Sequence, residues 1–266
     1  MPMDPSLPRH PNPLFTGRKE ALEKIDSVFW PRPKNAKGES KDDLETDSTS
    51  PVPPAGRKKI ALYGLAGAGK SEVALRYAFT HYAKYDAVFR IQVRDAAGLE
   101  TGASRAIAWI IKYYRAEWDS ATPGLCMRIA AALHMSESED EPRIDDFETL
   151  MREASNGRQN IQRLQHWLPS RRPWLLILDN YDDPEACDIN SLLPSTNVGH
   201  VLITSRSPDL EEMDEKIEIE PSLGLSDSAE LLGRKTDASA YCCGEESRTS
   251  SLLSSLDGLI LKLHRL

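Results

Sequence analysis

Residues 64–71 read Gly-Leu-Ala-Gly-Ala-Gly-Lys-Ser, and this run restricts the fold of the chain more than any other. It fits the spacing G-x-x-x-x-G-K-[ST], whose parts each have a physical task. Gly64 and Gly69 allow the backbone to turn with its amides pointing inward, and Leu65, Ala66, Gly67 and Ala68 complete the loop that cradles phosphate oxygens. Lys70 is placed to reach the outer phosphates, and the Ser71 hydroxyl is a hard oxygen suited to Mg²⁺. Such a loop needs a buried strand before it and a helix N-terminus after it. KIALY (residues 59–63) and SEVALRYAFTHYA (71–83) meet both demands.

The rest of the chain continues the alternation. Ala21, Leu22, Ile25, Val28 and Phe29 recur at helical spacing and predict a helix over 19–29. DAVFRIQV (86–93) predicts a strand rich in β-branched and aromatic residues. SRAIAWIIKYYRAEW (104–118) and LCMRIAAALHM (125–135) predict helices, and FETLMREASNGRQNIQRLQHWL (147–168) a helix broken near Gly157. PWLLILDN (173–180), GHVLITSR (199–206) and KIEIEP (216–221) predict further strands, followed by helical DSAELL and LLSSLDGLILKL. Near-continuous apolar strands alternating with helices predict a parallel sheet covered on both faces, a three-layer α/β P-loop domain with a short C-terminal helical remnant.

Domain boundaries follow from composition. Residues 1–30 form a leader ending in a helix, 31–56 are polar and proline-closed and predict a disordered insertion, 57–225 form the P-loop domain, and 226–266 a partial helical subdomain. The 33 Lys and Arg against 41 Asp and Glu leave a net charge of −8, which disfavours nucleic acid as a partner. The four cysteines, Cys126, Cys187, Cys242 and Cys243, form no C-x-x-C pair, so reduced thiols are expected. The proline-rich start lacks an apolar segment, and no run reaches the ~20 apolar residues of a membrane helix. A soluble, cytoplasmic chain with no membrane partner is predicted.

Two further motifs lie downstream of the loop. LLILDN is an apolar strand ending in Asp179, as a carboxylate facing Mg²⁺ requires. The next residue is Asn180, whose amide can position water but cannot take its proton. VLITSR places Arg206 just past another strand, on the same sheet edge, where a guanidinium could pair with a terminal phosphate. Asp182 and Asp183 read as solvated turn residues, and His134 and His166 as helical residues without a catalytic role.

The order FTGRKE, GLAGAGKS, LLILDNYDDP, VLITSR, LDGL resembles the NB-ARC domain of the STAND class of signalling ATPases, in the style of fungal NLR-like proteins. The resemblance covers roughly residues 14–30 and 57–260. It implies that Phe15, Thr16, Gly17 and Arg18 contact the adenine side of an ADP or ATP molecule, that Arg206 senses the terminal phosphate, and that Asp179 and Ser71 hold Mg²⁺. It also implies a switch, off with ADP and on with ATP, that works through homo-oligomerisation or other signalling proteins. Three departures stand out: Asn180 in place of a second acid, Ile260 where the family's GLPLA run has proline, and a sequence that ends at Leu266 with no winged helix. Slow or absent hydrolysis is the expectation. A working ATPase that couples turnover to work, or a truncated silent or regulatory fragment, are the alternatives.

Overall fold

Strand β1 (Lys58–Tyr63) lies inside a five-stranded sheet of order β2-β3-β4-β1-β5, with β2 at Ala87–Gln92, β3 at Trp174–Asp179, β4 at His200–Ser205 and β5 at Glu215–Glu218. Every pairing is parallel, so all five strands end on one edge. The computed structural model describes residues 7, 10–31, 56–117, 124–135, 146–170, 173–194, 198–222 and 227–228. Residues 32–55 of the predicted insertion, nearly all of the predicted C-terminal subdomain, Trp118 and the Cys242–Cys243 pair lie outside them.

Successive residues of each strand serve opposite faces. Ile60, Leu62, Val88, Leu175, Ile177 and Leu202 pack on one side against α1 (Lys19–Phe29) and α2 (Lys70–His81). Ala61, Ala87, Phe89, Ile91, Leu176, Leu178, Val201 and Ile203 pack on the other, where α3 (Ala96–Glu117), α4 (Leu125–Ala132), α5 (Phe147–Glu153) and α6 (Gly157–Trp167) lie. β3 and β4 are buried along their whole length, which explains why they read as unbroken apolar runs.

Several boundaries differ from the sequence reading. α3 begins at Ala96, eight residues before the predicted start, and runs through Gly98 and Gly102. Asp95 opens it by accepting the Gly98 amide at 2.7 Å. Gly102 is needed for packing, since a Cβ there would lie 2.4 Å from Ile91. The predicted break near Gly157 exists, but Gly157 begins α6, and Asn156 caps it by accepting the Gln159 amide. His134 lies in the turn after α4 with φ 50°, not within the helix.

Candidate functional site

The loop between β1 and α2 sits at the carboxyl edge of the sheet, one strand away from Asp179, with β4 between them. Its first glycine has a specific reason. Gly64 has φ +144°, and a Cβ there would lie 2.4 Å from the Ile219 carbonyl oxygen, because Ile219 donates its amide to Tyr63 at 2.7 Å. Gly69 ends the loop at φ +90° in open space and caps α2, so conformation alone requires glycine there.

Lys70 is the first residue of α2 and is buried. Its ammonium donates to the Gly64 and Leu65 carbonyls, both at 2.8 Å, so it bridges its own loop. Burial pushes its pKa down, against the attraction of Asp182 and Asp179.

Ser71 and Asp179 meet, with the Ser71 hydroxyl donating to Asp179 Oδ1 at 2.6 Å. Thr204 on β4 donates to the same oxygen at 2.6 Å, and its own oxygen accepts the Asn180 amide at 2.9 Å. Arg90 on β2 donates to Asp179 Oδ2 through Nε at 3.1 Å and also through Nη2. Burial raises the Asp179 pKa, but the bonds from Ser71, Thr204 and Arg90, with the Arg90 charge, outweigh it and hold the carboxyl below its ordinary range. The juxtaposed hydroxyl and carboxylate offer the hard oxygens that Mg²⁺ prefers, and the donor set fits that ion.

An open cleft of about 740 Å³ lies over this edge, lined among others by Gly67, Gly69, Lys70, Ser71, Asn180 and Arg206. Asn180 has φ 63°, the left-handed conformation that asparagine tolerates. Arg206 leaves β4 at the mouth of the cleft and is anchored there. Asp182 accepts its backbone amide at 2.7 Å and its Nε at 2.6 Å. Asp182 is therefore engaged in the cleft wall, where the sequence reading expected a solvated turn.

The leader residues occupy several places. Arg18, at φ 61°, begins α1, and its guanidinium donates to the Ala68 carbonyl of the loop at 3.2 Å and to the Glu220 carbonyl beyond β5. Gly17 lies so close to Asp227 that a Cβ would overlap its carboxylate. Thr16 is buried. Phe15 packs under the Arg76 guanidinium at 5.5 Å and lines a separate small pocket with Asn12, Glu72 and Phe79. Glu72 borders both that pocket and the larger cleft. Thus Arg18 joins the loop directly, and Phe15 lies against α2 at Arg76.

Sequence reasoning missed Arg90 and Thr204. The signal for Arg90 was an arginine between apolar residues, Phe89 and Ile91, inside a strand. Thr204 had none, being one β-branched residue among several. Among the described residues, no group of three or more His, Cys, Asp or Glu side chains forms a metal cluster, and no helix is long and apolar enough to cross a membrane.

An all-parallel sheet with this loop leading from its inner strand into a helix is the α/β P-loop NTPase fold. No family model matches the chain, and no curated protein matches it in sequence. Several solved structures are similar in backbone, two ATPases among them. One is a STAND (signal transduction ATPase with numerous domains) protein with a tetratricopeptide repeat sensor from Pyrococcus horikoshii, at 15% identity and TM-score 0.45 over 88% of this chain. The other is a Walker-type ATPase of Pyrococcus abyssi, at 11% identity and TM-score 0.38 over 74% of this chain. The chain spans 27% of the length of the first and 57% of the second.

Proposed function

We propose that this chain binds ADP and ATP with Mg²⁺ and acts as a nucleotide-dependent conformational switch that hydrolyses slowly. The observation that carries the reading is the 2.6 Å bond between Ser71, at the end of the phosphate loop, and Asp179, at the end of β3. It joins a phosphate cradle to a carboxylate on a different strand, which a plain glycine-rich turn has no need to do. Bound Mg²⁺ would neutralise phosphate charge between these two residues. Lys70 would exchange its two loop carbonyls for phosphate oxygens, and the loop amides and α2 N-terminus would hold the remainder.

Slow hydrolysis follows from the groups beside Asp179. Asn180 has no basic atom to accept a proton from water. Asp182, a carboxylate that does line the cleft, is committed to Arg206. Adenine as the base, and a role for Phe15, Thr16, Gly17 and Arg18 on its side, rest on the resemblance of FTGRKE to the NB-ARC pattern. So do the signalling role and partners among copies of the chain or other signalling proteins.

Calorimetry with ADP and ATP in Mg²⁺ tests the reading, with Lys70→Ala as the control. Loss of one partner from a desolvated charge pair costs about 2–5 kcal/mol, so the variant should bind at least about thirtyfold more weakly. Equal affinity in a folded Lys70→Ala protein would remove the assignment. Mass spectrometry of nucleotide released from the purified protein identifies the base.

A further inference from the structure

We propose that Arg90 is a built-in counter-ion to the metal-binding carboxylate, which competes with Mg²⁺ for Asp179 and lowers the affinity of the metal at this site. The inference deepens the nucleotide reading above and rests on it.

Arg90 and Asp179 are on adjacent strands, on the sheet face that carries α2. Gln92 stands opposite Asp179 in the register, and Arg90 is two residues earlier on the same face. From there the guanidinium forks onto one carboxylate oxygen through Nε and Nη2. The other oxygen already accepts the Ser71 and Thr204 hydroxyls, each at 2.6 Å. A carboxylate offers about four lone-pair sites, and four donors address this one. A metal ion, or water bound to it, must therefore displace a donor.

The geometry indicates which donor yields. Thr204 is fully buried and its oxygen is fixed by the Asn180 amide, so its hydroxyl proton has one direction. Ser71 is itself the expected metal ligand and keeps free lone pairs. Arg90 retains 19% side-chain exposure, against 1% for Asp179, and can turn outward. A divalent ion arriving beside it meets a fixed like charge, which lowers its affinity whatever position the side chain takes.

The test compares nucleotide affinity in Mg²⁺ and in EDTA by calorimetry with ADP. The wild-type chain should lose less than about tenfold on chelation, while Arg90→Gln, which keeps a polar donor but removes the charge, should become on the order of tenfold more dependent on Mg²⁺. Arg90→Lys keeps the charge and should stay close to wild type. Strong metal dependence of the wild-type chain, unchanged in Arg90→Gln, would overturn the role of Arg90 and leave the nucleotide site standing. No ADP binding by the wild type in either buffer would overturn both. Should Arg90→Gln not fold, the wild-type chelation result and Arg90→Lys decide the matter.

Discussion

At the scale of single residues, the candidate site is built from side chains whose partners are already protein atoms. Lys70 holds two loop carbonyls, Arg206 holds Asp182, and Arg18 holds Ala68 and Glu220. A ligand entering the cleft therefore exchanges partners with these side chains. Asn180 is the residue most exposed to a direct test. Asn180→Asp or Asn180→Glu restores an acid beside Asp179 and should raise single-turnover ATP hydrolysis by about 10²-fold, the lower end of general-base effects, with little change in affinity. Brisk turnover by the unaltered chain would instead favour a working ATPase. The loop glycines separate two causes of strain. Gly69→Ala meets open space and should cost about 1 kcal/mol for its left-handed backbone. Gly64→Ala also puts a Cβ 2.4 Å from the Ile219 carbonyl oxygen, so it should be the more destabilising of the two by about 1–3 kcal/mol in urea unfolding.

At the scale of elements, α1 is joined to the sheet through a buried histidine. His200 begins β4, stacks on Phe29 with ring centroids 4.3 Å apart and planes 4° from parallel, and shares a 2.8 Å bond with Tyr85. Burial pushes its pKa down from 6.5 to about 4. The unfolded chain then takes up this proton more readily than the folded one. Stability from this group is complete above pH 6.5 and is lost as pH falls towards 4, by about 3 kcal/mol in all. His81 has a lowered pKa of the same sign, so the difference between wild type and His200→Phe isolates His200. Urea midpoints at pH 7 and pH 4.5 should converge for His200→Phe relative to wild type. An equal acid loss in both proteins would show that the α1 contact does not titrate.

At the scale of the whole molecule, three separate segments converge on the phosphate loop. The leader arrives through Arg18, β3 through Asp179, and the chain after β5 through Ile219 and Glu220. A ligand that fastens the loop therefore stabilises contacts on both sides of β1 at once. With ligand at a hundredfold excess over Kd, linkage adds about 2.7 kcal/mol, which for a domain of this size raises Tm by about 5–10 °C. Thermal scans with ADP, ATP and GTP measure this, and a rise with GTP equal to that with ATP would remove the adenine preference.

The primary sequence by itself determined the phosphate loop, the strand ending in Asp179, the arginine after β4 and the parallel α/β class. These are properties of local spacing and apolar periodicity, and α1 runs over the residues its pattern predicts. Helix α3 was legible only in part, because Gly98 and Gly102 interrupt propensity and are accepted for the sake of close contact with β2. The partners within the site could not be read in one dimension. Arg90 and Asp179 are 89 positions apart, and Thr204 is 25 from Asp179, so only strand order and register bring them to one carboxylate. The same holds for Gly64, whose motif asks for glycine but whose steric reason is the Ile219 carbonyl just past the end of β5. Tertiary structure decided these because hydrogen bonds and close contacts depend on distance in space, which the sequence encodes only through the fold as a whole.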